Sequence, residues 1–253
     1  MKKRKIALVT GGSRGLGKDM AISLAKRNID IILTYHSKKE EAEAVVSEIN
    51  KLGVTALAIQ LDTSNIKSFD PFFAQIKAEL KSKFDTENFD FLINNAGIGI
   101  TAPFAETTED QFDTLTNIHF KGVYFLTQKA LPLLNDGGRI INISSGLARF
   151  TLPGFSVYAS LKGAIETLTK YLAKELGSRF ITVNAIAPGA IATDFGNGSL
   201  KTNVQAQEYM KSVTAIPRVG QPEDIGGVVA FLCSDEASWV NAQTIEVSGG
   251  MNI

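Results

Sequence analysis

Short apolar runs alternate with longer amphipathic stretches along the whole of this chain. Most of the runs are apolar at every position, whereas a strand with one face in water would alternate apolar and polar residues. The pattern therefore predicts parallel strands that are buried on both faces. The predicted strands span residues 5–10, 29–35, 55–60, 89–94, 139–144, 181–186 and 244–247.

The stretches between these strands have the periodicity of helices. Residues 39–52, for example, carry an apolar stripe at helical spacing that comprises Ala42, Val45, Val46, Ile49 and Leu52. Alternating strands and helices specify an α/β fold: a single Rossmann-type, doubly wound parallel sheet of about seven strands with helices on both faces. The predicted helices span residues 16–26, 39–52, 65–83, 109–134, 157–176 and 222–232.

No linker and no change of composition divides the chain, so residues 1–253 are predicted to form one domain. Residues 190–218 interrupt the regular spacing, because a loop between a strand and a helix usually has about 2–6 residues. This segment contains one helix-like stretch at residues 203–211. We therefore expect residues 190–218 to form a mobile lid over a substrate.

Composition excludes several classes of function. Lys and Arg together number 26 and balance 26 Asp and Glu, so no overall field attracts nucleic acid or an anionic membrane. One cysteine and two histidines argue against a disulfide framework and against a metal site. No apolar run reaches the roughly 18 residues that a membrane span needs. We expect a cytoplasmic protein without a metal, nucleic-acid or membrane partner.

A glycine-rich turn joins the first predicted strand to the first helix. Gly11, Gly15 and Gly17 form a G-x-x-x-G-x-G pattern. In such a turn one glycine permits the tight bend, another lets a pyrophosphate approach the backbone, and the third lets the helix pack on the strand. The helix N-terminus adds free N–H groups and a positive dipole. An ordinary turn is the alternative, but the position between strand and helix favours a dinucleotide site.

The end of the second strand indicates which dinucleotide binds. NAD sites place an acid there to hold the ribose 2′-hydroxyl, but this chain has His36, Ser37 and Lys38 and no acid before Glu40. Arg14 and Lys38 are suited to a 2′-phosphate, although both could simply be solvated surface charges. The absent acid and the added bases favour NADP(H).

Tyr158 and Lys162 are four residues apart, so on a helix they share one face. A nearby ammonium group would lower the tyrosine pKa from about 10, which makes Tyr158 a candidate acid or base. Such a pair is common by chance. Here, however, Ser145 precedes Tyr158 by thirteen positions and ends the fifth strand, at the edge where open α/β sheets bind ligands.

Taken together with residues 94–97, Pro188-Gly189 and the ending Ser248-Gly249-Gly250, these motifs resemble the classical short-chain dehydrogenase/reductase family from end to end. The resemblance implies hydride transfer between a nicotinamide and a carbonyl or secondary alcohol, in a homotetramer. The implied catalytic residues are Ser145, which orients the carbonyl, Asn117, which holds a relay water, Tyr158, the acid/base, and Lys162, which binds the nicotinamide ribose.

The same resemblance implies a set of cofactor contacts. They lie in the glycine turn, after the second, third and fourth strands, on the Tyr158 helix and after the sixth strand. The residues are Gly11, Ser13, Arg14, Gly15, Leu16, Gly17, His36, Ser37, Lys38, Asp62, Thr63, Asn95, Ala96, Gly97, Tyr158, Lys162, Pro188, Gly189, Ile191 and Thr193. Asn94 and Ser144, in contrast, are expected to be structural.

The substrate stays open between several alternatives. The segment 174–179 is similar to bacterial 3-oxoacyl-carrier-protein reductases, in which a basic residue like Arg179 lies near the acyl carrier protein. Asp136 would repel such an acidic partner, so the alternative is a reductase or dehydrogenase of small ketones, sugars, quinones or polycyclic substrates. A non-catalytic NADP-binding sensor would not need the catalytic set. The expected apolar cleft comprises Leu147, Phe150, Phe155 and Phe195.

Three further residues are assigned no catalytic role. Cys233 is expected to be a small buried hydrophobic residue. His119 follows Asn117 by two positions and is therefore expected to face away from the relay. Trp239 is expected in packing or in a subunit interface.

Overall fold

Seven strands form one sheet in the computed structural model, which describes residues 3–253. They are β1 (Ile6–Val9), β2 (Asp30–Tyr35), β3 (Ala56–Gln60), β4 (Phe89–Asn94), β5 (Leu134–Ile143), β6 (Thr182–Pro188) and β7 (Thr244–Val247). Their order is β3-β2-β1-β4-β5-β6-β7 and every pair is parallel. The predicted fold class is confirmed. The first two positions of the predicted domain lie outside the described residues.

Helices cover both faces of this sheet. They are α1 (Gly15–Ala25), α2 (Lys39–Asn50), α3 (Phe69–Phe84), α4 (Glu109–Thr116), α5 (Val123–Ala130), α6 (Ser156–Glu175), α7 (Ser199–Thr202), α8 (Val204–Ser212) and α9 (Glu223–Leu232). Side chains alternate along each strand, so Ala7 joins a core with α1, α2 and α9 while Leu8 joins a second core with α3, α5 and α6.

A chain of buried hydrogen bonds ties the two central strands to the helices behind them. The Asn94 amide donates to Thr127 Oγ1 at 3.0 Å and to Asn142 Oδ1 at 2.9 Å, and the Asn142 amide donates to Thr169 Oγ1 at 2.9 Å. The Ser144 hydroxyl donates to Glu166 at 2.7 Å. Asn94 and Ser144 therefore have the structural contacts that the sequence predicts for them.

The predicted helix over residues 109–134 is confirmed over most of its length, but it is not one continuous α-helix and its last residue belongs to a strand. A π-helical segment, Asn117–Gly122, separates α4 from α5, and β5 begins at Leu134 rather than at Arg139. Residues 135–138 resemble a turn in sequence, but Leu134 pairs with Phe89 and the register then shifts before the regular pairing resumes. Gly137, with a φ of +74°, permits this irregularity within a strand.

The segment 190–218 contains more structure than predicted. The expected helix is α8, and Asn203 caps it by accepting a hydrogen bond from the Ala206 N–H at 3.0 Å. A 3₁₀ turn, Phe195–Gly198, and α7 precede it. The start of the segment is held by Ala192, whose N–H donates to the Gly220 carbonyl at 2.9 Å.

Two kinds of feature are absent from residues 3–253. No helix in this range is both long and apolar enough to cross a membrane. No group of three or more His, Cys, Asp or Glu side chains in the same range is arranged to hold a metal ion.

Candidate active site

The candidate residues gather at the carboxyl edge of the sheet. Thr10 follows β1, Asn95 follows β4, Ser145 follows β5 and Gly189 follows β6. Because all of these strands are parallel, their carboxyl ends meet at one edge although the residues lie far apart in sequence. This edge includes the point between β1 and β4 where the strand order reverses, the usual ligand crevice of such sheets.

The glycine turn needs glycine for conformation and for space. Gly11 and Gly15 have φ values of +66° and +54°, which side chains disfavour. A Cβ atom on Gly17 would lie 2.2 Å from the Gly11 carbonyl oxygen, so no side chain fits where α1 packs on the turn. The turn therefore has the backbone conformation and the close helix packing that its glycine pattern predicts.

The N-terminus of α1 is chemically open to an anion. Arg14 is its N-cap and makes no side-chain capping hydrogen bond, and the first turn contains no acidic residue. The first N–H groups of the helix are therefore available to phosphate oxygens. Thr193, at the start of the predicted lid, lies 3.6 Å from the position of a Cβ on Gly15. The start of the segment 190–218 thus lies beside the glycine turn.

Asn95 braces this turn from the neighbouring strand. Its side-chain amide donates to the Thr10 carbonyl at 2.9 Å, and the backbone N–H groups of Asn95 and Ala96 donate to Thr10 Oγ1 at 2.9 and 3.0 Å. Thr34, which the sequence analysis did not identify, accepts from the Gly11 N–H at 3.1 Å. A cofactor contact by Asn95 stays a prediction.

The residues expected to select the cofactor are exposed. Arg14, His36, Ser37 and Lys38 are all accessible to solvent, and Lys38 lies 3.9 Å from Glu41 in a surface pair of little strength. Asp62 Oδ1 accepts from the Ser64 N–H and hydroxyl at 2.9 and 2.7 Å, which fixes the turn after β3.

Tyr158 is buried in the first turn of α6, with only 8% of its surface exposed. Burial raises the pKa of Tyr158 to about 12, because the phenolate would lose its hydration, while the hydrogen bond with Ser145 acts in the opposite direction. At neutral pH this hydroxyl therefore keeps its proton and can act as a donor.

Lys162 is buried one turn further along α6. Its ammonium group donates to the Ile143 carbonyl at 2.7 Å and lies 5.4 Å from the centre of the Tyr158 ring. Burial lowers the pKa of Lys162 to about 7. The expectation that Lys162 brings the pKa of Tyr158 below its usual value is therefore wrong here, because desolvation disfavours the charged form of both groups.

His119 lies against Tyr158, contrary to the prediction that it faces away. The two ring centres are 5.1 Å apart and the planes are nearly perpendicular, at 88°. Asn117 makes no side-chain hydrogen bond with any residue in the range 3–253, and its relay role stays a prediction. The π-helical segment Asn117–Gly122 directs the His119 side chain toward Tyr158. The spacing of residues in the sequence does not define this rotation. The apolar residues Ile118 and Phe120, on either side of His119, are the sequence signal that could have predicted a buried position for His119.

Two further aromatic rings lie near Tyr158. The Phe195 ring, from the lid segment, is centred 5.7 Å away and the Phe155 ring 6.5 Å away. A Cβ on Gly99 would lie 2.9 Å from the Phe195 ring, and one on Gly146 would lie 2.8 Å from the Phe150 ring. Three of the four residues expected in the cleft therefore lie close to the acid or to the strand end beside it.

Cys233 and Trp239 are the two residues that remain of those assigned no catalytic role. Cys233 is buried as expected, and burial raises the pKa of its thiol to about 12. Trp239 is 98% exposed, so it does not pack within this chain. Of the two predicted roles, packing and a subunit interface, only the interface stays a prediction.

Comparisons with known proteins give consistent results. A family model described as enoyl-(acyl carrier protein) reductase matches residues 11–252. The 3-oxoacyl-[acyl-carrier-protein] reductase FabG of Staphylococcus aureus is 41% identical over 99% of both chains. A hydroxynaphthalene reductase-like protein, Arp2, of Metarhizium brunneum is 37% identical, over 97% of this chain and 94% of its own.

A solved structure is similar over almost the entire chain. The angucycline C-6 ketoreductase LanV, determined with bound NADP, superimposes with a TM-score of 0.93 at 34% identity. The match covers 98% of this chain and 95% of that one.

Proposed function

The chain belongs to the classical short-chain dehydrogenase/reductase family of oxidoreductases, and from this premise we propose that it reduces the carbonyl group of an apolar, ring-bearing ketone with NADP(H). One observation carries the proposal: Tyr158 is buried, retains its proton at neutral pH and lies beside Ser145 and Lys162. A group in this state is a general acid for a carbonyl oxygen.

Each residue of this set has a distinct task. Tyr158 donates its proton to the substrate oxygen as the carbonyl is reduced. Ser145 orients that oxygen, since its hydroxyl already interacts with Tyr158. Lys162, anchored to the Ile143 carbonyl, is placed beside Tyr158 to hold a ribose. NADPH would supply the hydride.

The glycine turn would hold the pyrophosphate of that cofactor. The space at Gly17 and the uncapped N-terminus of α1 fit this group. Arg14 and Lys38 would hold the 2′-phosphate, with His36 and Ser37 beside them. The structure of LanV was determined with bound NADP, which supports NADP(H) as the cofactor.

The substrate class follows from the aromatic walls around Tyr158. Phe155 and Phe195 flank the acid on two sides, and flat rings stack well on such surfaces. The names of two similar proteins, a hydroxynaphthalene reductase-like protein and an angucycline ketoreductase, support a ring-bearing ketone.

Reduction of a 3-oxoacyl group on an acyl carrier protein is the second candidate, and the 41% identity to FabG favours it. The charges argue against it. The Arg179 guanidinium donates to Asp136 at 2.7 Å and also to the carbonyls of Leu131 and Leu134. Three of the five N–H donors of this guanidinium are therefore used within the chain, and the Asp136 carboxylate beside it offsets its charge toward an acidic protein.

A substrate comparison tests these alternatives. We would follow the loss of NADPH absorbance with a bicyclic aromatic ketone, 1-tetralone, and with a 3-oxoacyl thioester on carrier protein, using Tyr158→Phe as the inactive control. The proposal expects kcat/KM to be at least about tenfold higher for the free ketone. Higher efficiency with the thioester would favour the second candidate, and NADPH binding without turnover would indicate a sensor.

We also propose a cytoplasmic homotetramer. Exposed aromatic residues lie on two sides of the chain: Phe112, Tyr124 and Tyr171 on α4, α5 and α6, and Phe231 and Trp239 on α9 and before the edge strand β7. Two separate apolar surfaces permit two different two-fold interfaces, and two such interfaces generate a tetramer.

A further inference from the structure

His119 is buried in a way that ordinary core packing does not explain. Only 1% of its surface is exposed, and its Nδ1 atom has no hydrogen-bond partner among residues 3–253. An unpartnered buried nitrogen is costly, whereas an apolar ring would fill the same space without that cost. The imidazole therefore carries a cost at this position that an apolar ring would avoid.

The contacts of the other nitrogen identify the tautomer. Nε2 lies 2.8 Å from the Ile98 carbonyl oxygen, which can only accept a hydrogen bond. The Ile98 N–H also faces Nε2, at a longer distance of 3.3 Å. Because the contact with the carbonyl oxygen is the shorter of the two, we assign the proton to Nε2, which leaves Nδ1 as the acceptor. A Cβ on Gly97 would lie 2.7 Å from the Cε1 atom of this ring, so the imidazole fits directly against the loop that follows β4.

His119 thus joins two parts of the site, the Tyr158 ring and the loop after β4, and it holds the loop by a hydrogen bond. The His119 ring packs against the Tyr158 ring, and its Nε2–H group donates to the Ile98 carbonyl. Ile98 directly follows the predicted cofactor residues Asn95, Ala96 and Gly97 in the sequence. The loop after β4 contacts the imidazole through the backbone of Ile98. Two ionisable side chains of α6, Tyr158 and Lys162, lie near the imidazole.

The imidazole stays neutral in this position. Burial, and then the positive charge of Lys162, lower the pKa of His119 to about 3. A neutral ring does not compete with Tyr158 as a proton donor, and it adds no charge beside Lys162. Its contribution is therefore geometric.

We propose that His119 is a positioning residue: its neutral Nε2–H tautomer sets the distance between the Tyr158 ring and the loop at Ile98, and so aligns the acid with the cofactor site. This rests on the proposed reductase function. This role does not alter the hydride transfer or the proton transfer of the reaction, because the imidazole neither gains nor loses a proton.

Two substitutions test the role of the nitrogen. His119→Phe keeps an aromatic edge against Tyr158 but removes the N–H group, and His119→Gln restores an N–H donor without the ring. We expect His119→Phe to slow hydride transfer about 10- to 100-fold, with the KM for the ketone and the Kd for NADPH changed less than about threefold. We expect His119→Gln to recover to within about threefold of the parent.

Thr116→Val is the matched control, because Thr116 Oγ1 is also buried without a partner and lies three residues earlier. We expect it to leave hydride transfer unchanged. Parental rates in His119→Phe, or equal losses in the Phe and Gln variants, would overturn the proposal, since a packing role alone does not distinguish N–H from C–H.

A second measurement does not depend on turnover. The chain has two histidines, so ¹⁵N-histidine spectra are assigned by comparison with His119→Phe. We expect His119 to stay neutral and in the Nε2–H form down to about pH 5. Protonation above that pH, or the Nδ1–H form, would overturn the positioning role. Absence of ketone reduction by a parent protein with this spectrum would instead refute the proposed function alone.

Discussion

Burial of Tyr158 and Lys162 sets the chemistry of the site at the scale of single residues. The two side chains lie close together, yet burial moves their pKa values in opposite directions, up to about 12 for the tyrosine and down to about 7 for the lysine. Both shifts favour the neutral form of the group. The arrangement suits donation of a proton more than its removal, which agrees with a reductase.

Tyr158→Phe tests the acid directly. Because the ring is retained and only the hydroxyl is lost, we expect kcat for ketone reduction to fall by at least about 100-fold. NADPH affinity should stay within about twofold of the parent value. Rapid-mixing measurements of hydride transfer, with binding followed by fluorescence, separate the two effects. A variant that retains more than about a tenth of the parental rate would require another proton donor.

The pH dependence of the reverse reaction tests the raised pKa. Alcohol oxidation needs the phenolate, and with a pKa of about 12 the phenolate fraction grows throughout the alkaline range. We therefore expect the rate of oxidation to rise up to at least about pH 10 without a plateau. Ketone reduction should not gain in this range, because Tyr158 is already protonated. A plateau in the oxidation rate below about pH 9 would show that the bound cofactor lowers the tyrosine pKa.

Arg14→Ala tests the choice of cofactor. Loss of a charge-assisted hydrogen bond to the 2′-phosphate should weaken NADP binding by about 1.5–3 kcal/mol and leave NAD binding unchanged. Arg27→Ala, beyond the other end of α1, is the control and should affect neither cofactor. Calorimetric titration of both dinucleotides gives the comparison. Equal affinities for NADP and NAD in the parent would contradict the proposed preference.

At the scale of elements, the segment 190–218 connects the cofactor edge to the substrate cleft. Its start lies against the glycine turn through Thr193, and two residues later Phe195 covers Tyr158. A segment with both contacts can respond to the cofactor and bound substrate together. This placement supports the lid function that was predicted from its length.

Phe195→Ala tests the aromatic wall. Removing one ring from the cleft should raise the KM for a bicyclic ketone about 5- to 20-fold, or about 1–2 kcal/mol, because stacking area is lost. A small aliphatic ketone should be reduced almost as before. Tyr209→Ala, an exposed aromatic residue on α8, is the control. Equal effects on both ketones would show that Phe195 supports the lid rather than contacting the substrate.

At the scale of the whole molecule, the distribution of exposed aromatic residues suggests assembly. The net charge is zero, so no overall repulsion opposes association. The edge strand β7 and the fully exposed Trp239 before it form an open side of the sheet, which native proteins usually cover.

Trp239→Glu tests this surface. A carboxylate in a buried apolar interface is strongly unfavourable, so we expect the proposed tetramer to be replaced by dimers, associated through the proposed interface on α4, α5 and α6. Leu52→Glu, on an exposed position after α2, is the control and should leave the mass unchanged. Light scattering at micromolar concentration measures the mass. A monomeric parent would contradict the assembly altogether.

Sequence alone determined the features that depend on local pattern. Continuous apolar runs predict buried parallel strands, and Gly11, Gly15 and Gly17 define the turn because backbone conformation and close packing depend on the residue itself. The spacing of Tyr158 and Lys162 likewise places both on one helix face. The helix-like stretch at residues 203–211 likewise corresponds to α8, because a single short helix depends on residues close together in sequence.

Only the tertiary structure decided the features that depend on distant contacts. The pKa of Tyr158 follows from burial by side chains that include Phe195 and His119, and no local pattern predicts that burial. The inward position of His119 depends on the rotation of its helical segment about its own axis. The start of β5 at Leu134 depends on pairing with Phe89. Burial, rotation and pairing are all set by neighbours that are remote in sequence.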